Sequence, residues 1–138
     1  MKIAIAYPPF EGIKQTSLLS QNRQFQWFHQ PTYIYPVVPA QAATLLKRAG
    51  YEVFWLDGIA EKWSYQKWLS ELEKAKPDLV VMETKTPVVK KHWKIINDLK
   101  KLEIGNWKLE ICLVGDHVTT LPEESFQNSK VDYVLTGG

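Results

Sequence analysis

Short apolar runs alternate along this chain with segments whose apolar residues recur every three to four positions. The run at 3–6 ends at Pro8-Pro9 and reads as a short buried strand. Runs at 53–56, 79–82, 111–114 and 131–135 read the same way, the 53–56 run closing on Asp57-Gly58. Between them lie helical stripes. Val38, Ala42, Leu45 and Ala49 share one helical face, and Gly50 follows as a C-terminal stop. Tyr65, Trp68, Leu69 and Leu72 mark a second helix with Pro77 beyond its end. Val89, Trp93, Ile96 and Leu99 form the stripe of a third, which places His92 on its exposed side. Residues 121–126 predict one short helix before the last strand.

Strands separated by helices imply crossover connections and a parallel sheet covered on both faces. The chain is therefore expected to be an α/β domain, a five-stranded parallel sheet with flanking helices. The Rossmann-like, flavodoxin-like order 2-1-3-4-5 is favoured over other five-stranded Rossmann-like orders. A connection at 8–36 is too long for a plain turn. It carries Phe25, Trp27, Phe28, Tyr33 and Tyr35, so it reads as an ordered loop with room for a short helix.

At 138 residues the chain suits one domain, and its 45% hydrophobic and 23% charged content is ordinary for a packed globule. A formal net charge of +2 lacks the concentrated positive excess that tracks a phosphate backbone, so nucleic acid is not an expected partner. The one cysteine, Cys112, cannot form an intrachain disulfide or hold an iron–sulfur cluster by itself, and it reads as a small core residue. The apolar N-terminus stops too soon for a signal segment, and no run approaches the ~20 apolar residues of a membrane span. No membrane partner and a cytoplasmic location are expected.

In open parallel sheets ligands sit beyond the carboxyl ends of the strands, where strand order reverses. Tyr7, Pro8, Pro9, Phe10 and Gly12 should meet Thr84, Lys85, Thr86 and Pro87 there. Gly115, Asp116 and His117 flank them, with Gly137 beyond. Glycine, proline and hydroxyl residues suit close backbone approach and hydrogen bonding. Thr86-Pro87 also fits a helix start, threonine as N-cap and proline at the first helical position. Such a start beside Lys85, Lys90, Lys91 and Lys94 is either an anion site or a solvated face. Asp57, Glu83 and Asp116 converge on the same strand ends, as capping groups or as part of a site. His117 is read as a hydrogen-bonding loop residue rather than a metal ligand, and His29 lies in the aromatic loop.

Taken in order, these segments resemble the cobalamin-binding domain of cobalamin-dependent radical SAM enzymes. The resemblance runs through Tyr7-Pro8-Pro9, the helix opening after Pro36, Lys47-Arg48-Ala49-Gly50-Tyr51-Glu52-Val53 and Asp57. It continues with Lys76-Pro77-Asp78-Leu79-Val80, Thr84-Lys85-Thr86-Pro87 and Leu113-Val114-Gly115-Asp116-His117. Leu121-Pro122-Glu123-Glu124 and the closing Val131-Asp132-Tyr133-Val134-Leu135-Thr136-Gly137-Gly138 complete it. It implies a corrinoid over the carboxyl edge of the sheet, contacted by Tyr7, Pro8, Pro9, Phe10, Gly12, Thr84, Lys85, Thr86, Pro87, Gly115, Asp116, His117 and Gly137. It further implies cobalt without a protein histidine, since the Asp-x-His-x-x-Gly motif of the methionine-synthase type is absent after the first strand. Asp116 stands where the family carries a second glycine.

The resemblance implies that residues 1–138 are the N-terminal fragment of a longer protein. Its radical SAM barrel, joined in cis, would carry S-adenosylmethionine and the [4Fe-4S] cluster, because the Cys-x-x-x-Cys-x-x-Cys motif is absent here. No catalysis is expected of this piece alone. The alternatives are a degenerate Rossmann-like domain kept for protein or substrate contacts, and a nucleotide- or flavin-binding domain. Against the latter stand the missing Gly-x-Gly-x-x-Gly and Walker motifs. A phosphoacceptor domain would need clustered carboxylates where Tyr7 and Glu83 stand.

Overall fold

A computed structural model describes residues 1–9, 35–102 and 106–137, together with the backbone of two short strands at 16–17 and 27–28. The main sheet comprises β1 (Lys2–Tyr7), β4 (Glu52–Asp57), β5 (Leu79–Glu83), β6 (Glu110–Val114) and β7 (Tyr133–Leu135), all parallel, in the order β4-β1-β5-β6-β7. That is the expected 2-1-3-4-5. The small strands β2 (Thr16–Ser17) and β3 (Trp27–Phe28) form a separate antiparallel pair within the long connection. The expected short helix of that connection, with Phe10, Gly12 and His29, lies outside the described residues.

The alternation of side chains along each strand sets two different faces. On one face Ala4, Ala6, Val80, Met82, Ile111 and Leu113 are fully buried. Helices α2 (Tyr65–Ala75) and α3 (Val89–Leu99) cover them, contributing Trp68 and Leu72, then Trp93, Ile96 and Leu99, to one continuous core. The Ser64 hydroxyl caps α2 by accepting from the Lys67 N–H at 3.1 Å, and the Trp68 indole N–H donates to the Leu56 carbonyl. On the other face α1 (Val37–Arg48) is the one helix among the described residues, packing Ala43 toward Ile5 and Tyr7. Beyond it Val81, Cys112 and Val114 are only half-buried, and Leu135 is 62% exposed. These two surfaces are called the closed and the open face below.

The closed face corrects the expectation for His92. It is fully buried, because residues 89, 92, 93, 96 and 99 form one stripe at helical spacing. The stripe expected on α1 is reversed. Val38 and Leu45 point to solvent at 64% and 65% exposure, and the half-buried positions are Pro39, Ala40, Ala43 and Leu46. Gly50 ends the helix as expected, at φ +93°, with the Tyr51 N–H reaching back to the Leu46 carbonyl. Two helices, α4 (Asp116–Thr120) and α5 (Pro122–Asn128), replace the single one expected at 121–126. The last strand covers three residues rather than five. Cys112, expected in the core, sits half-buried on the open face.

Candidate functional site

The carboxyl ends of β1, β4, β5 and β6 meet where the strand order reverses, and three polar clusters gather there. The first follows from register. Tyr7 pairs with Asp57 across β1 and β4, and Ala6 with Met82 across β1 and β5, so Tyr7 and Glu83 fall side by side. The buried Tyr7 hydroxyl donates to Glu83 Oε2 at 3.0 Å, and its ring lies 5.8 Å from that of Trp55. Burial raises the pKa of Glu83, reinforced by Asp116 and opposed by the Tyr7 hydrogen bond and by Lys85. Burial also raises Asp57, against the pull of the Ala60 and Ile59 N–H groups that its Oδ1 accepts. Tyr7 itself is pushed far up by burial and by the carboxyl beside it, so its proton stays on the phenol.

The second cluster lies on the closed face, one residue further along the chain. Thr84 Oγ1 and His92 Nδ1 are 2.8 Å apart, both residues wholly buried. Desolvation depresses the His92 imidazole to about 3 and keeps it neutral. Gly115, at φ +118°, packs its α-carbon against this segment. A β-carbon there would stand 2.4 Å from the Thr84 carbonyl oxygen, so no side chain fits.

The third cluster joins residues far apart in sequence. Thr86 Oγ1 is 3.1 Å from His117 Nδ1, and His117 Nε2 is 2.8 Å from Glu124 Oε2. His117 is buried and stands edge-on to Trp93, whose indole N–H donates to Ser125 Oγ. With both ring nitrogens engaged, the imidazole is a hydrogen-bonding residue in this arrangement. Among the described residues no group of three or more His, Cys, Asp or Glu is placed to hold a metal.

Thr86 does not cap α3. The helix opens at Val89 with Val88 as N-cap, and residues 86–88 form a turn. The Val88 and Val89 N–H groups both donate to the Lys85 carbonyl at 2.9 Å, so they are turned inward rather than toward an anion. Thr119 donates its hydroxyl to the Gly115 carbonyl at 2.9 Å and accepts from the Gly137 N–H at 3.3 Å, tying the chain end to the crevice. Pro8, Pro9 and Lys85 are buried, whereas Pro87 and Asp116 are exposed. Phe10 and Gly12 fall outside the described residues.

Sequence reasoning brought Tyr7, Glu83, Asp57 and Asp116 to one place but missed Glu124, which meets His117 only because α4 and α5 turn the chain back. It also missed His92, although the i+3 spacing from Val89 was there to read. Comparison with known proteins found no matching family model, no matching curated protein and no matching solved structure.

Proposed function

We propose that this domain binds a corrinoid at the carboxyl edge of its sheet, as the cobalamin-binding module of a radical SAM enzyme whose catalytic barrel is joined in cis. The observation that carries this reading is the character of the crevice at the strand-order reversal. Its exposed and half-buried polar side chains there, Asp57, Glu83, Thr86 and Asp116, offer oxygen acceptors, and the Lys85 cation beside Glu83 is buried. A corrin ring is fringed with primary carboxamides, whose N–H donors are the complement of such a rim. Nucleotides and flavin nucleotides need N–H donors or cations on their phosphates, and the Val88 and Val89 N–H groups at the start of α3 are already taken. The residues described fit the ring in this respect. Tyr7, Glu83 and Thr86 would hold it, with Pro8 and Pro9 excluding water beneath. When bound, the cofactor supplies the cobalt chemistry, methyl transfer or a radical rearrangement, while S-adenosylmethionine and the cluster belong to the barrel.

The test is to mix the purified chain with hydroxocobalamin, desalt it and record the visible spectrum of the protein fraction. Retained absorption, shifted to the form lacking the intrinsic base, is expected. A colourless fraction combined with tight flavin binding overturns the reading in favour of a nucleotide domain. A second reading, a domain kept for protein contacts, draws on the open face, where Tyr133 and Leu135 are exposed beside the half-buried Val114. A domain that ignores corrinoids yet associates with its own barrel would favour it.

A further inference from the structure

We propose that Thr86, His117 and Glu124 form a relay of fixed hydrogen-bond direction, one that turns the Thr86 oxygen outward as an acceptor and makes the crevice select ligands by their N–H donors. It deepens the corrinoid reading and rests on it for the identity of the ligand, a ring bearing primary carboxamides.

A carboxylate only accepts, so the contact between Glu124 Oε2 and His117 Nε2 at 2.8 Å requires the hydrogen on Nε2. A neutral imidazole carries one N–H, which leaves Nδ1 with a lone pair. Nδ1 then accepts from the Thr86 hydroxyl at 3.1 Å. Thr86 is exposed, but its single hydrogen is committed inward, and only oxygen lone pairs face the crevice.

Its neighbours repeat the pattern. The Tyr7 hydroxyl donates to Glu83, the Thr119 hydroxyl to the Gly115 carbonyl and the Thr120 hydroxyl to the Asp116 carbonyl. Four hydroxyl groups around one sheet edge thus hold their hydrogens within the protein. A phosphate oxygen meeting Thr86 would set acceptor against acceptor, beside Glu83 and Asp116. A carboxamide N–H meets a ready partner.

Two measurements on the full chain separate this proposal from the corrinoid reading. The first is the nitrogen-15 spectrum of the His117 ring in the ligand-free protein. A hydrogen on Nε2 and a pyridine-like Nδ1 are expected. A hydrogen on Nδ1, in a neutral or a doubly protonated ring, overturns the relay whatever binds. The second compares the affinities of cobinamide, fringed by amides, and cobyrinic acid, the same macrocycle fringed by carboxylates. Thr86→Val keeps the shape of the side chain and removes the oxygen that the relay turns outward. The preference for cobinamide should fall about tenfold in that variant, the worth of one good hydrogen bond. A merely structural Thr86 would weaken both ligands alike, and a Thr86 that donates outward would raise the ratio; either result overturns the relay while the corrinoid reading stands. If neither macrocycle binds, the corrinoid reading fails, and the ring spectrum still decides the relay.

Discussion

Glu83 and Thr84 are consecutive in the chain, yet they face different environments. Thr84 enters the closed face, where its hydroxyl meets a fully buried neutral imidazole under α3. Glu83 enters the open face, where its half-buried carboxyl meets Tyr7 and feels Lys85 and Asp116. The same alternation repeats along the sheet. Met82 and Leu113 are fully buried on one side, while Val81 and Val114 on the other keep part of their surface in water. A parallel sheet ordinarily has helices on both faces. Here the closed face supplies the packing energy, and the open face keeps room and polarity beside the crevice. Stability and binding are thereby assigned to opposite sides of one set of strands.

The largest effect should come from cutting into the closed face. Trp68→Ala removes a fully buried indole and its bond to the Leu56 carbonyl, and should cost about 3–5 kcal/mol in urea unfolding. Val81→Ala, the corresponding cut on the open face, should cost about 1 kcal/mol. Equal losses would erase the distinction between the faces.

Acid should also read the two faces with opposite signs. His92 resists protonation down to about 3, whereas an unfolded histidine takes up its proton near 6.5. Its contribution is complete above pH 6.5 and is lost as pH falls toward 3, at about 1.4 kcal/mol per pH unit. Glu83, raised by burial, works the other way. It weakens the fold as pH rises from the unfolded carboxyl value to its own raised value, and this loss is recovered on acidification. Unfolding measured from pH 7 to 4 should therefore slope more steeply in Glu83→Gln than in the wild type. A His92→Gln variant with an undiminished slope would refute the assignment to His92.

The smallest of these effects concerns Glu83 at neutral pH. Glu83→Gln keeps an acceptor for the Tyr7 hydroxyl and removes a desolvated carboxyl, so it should gain about 1 kcal/mol and raise Tm by about 3–6 °C. A lower Tm would mean that attraction to Lys85 outweighs the desolvation, and the open face would then be electrostatically satisfied as it stands.

Much of this division was legible in the sequence. Apolar runs bounded by Pro8-Pro9, Asp57-Gly58 and Pro77 are local signals, and the strands formed there with ends shifted by one or two residues. The order of strands followed from the alternation itself. What stayed hidden depended on partners. Val38 and Leu45 have the spacing of a buried stripe, but α1 turns them outward because Ala43 faces the sheet. Thr86-Pro87 has the composition of a helix start, yet its hydroxyl finds His117, 31 residues away, in place of the backbone. A five-residue helix such as α4 holds too little of a period to be seen, and without it nothing brings Glu124 to His117.

Cys112 pairs in register with Val81 on one side and Tyr133 on the other, at the centre of the half-covered surface. It is the protein's one thiol, and burial raises its pKa, so its alkylation at neutral pH should be slow but measurable. The chain thus carries its own footprinting reporter. Any element, ligand or protein that seats on this surface will register as a further slowing of that single chemical reaction.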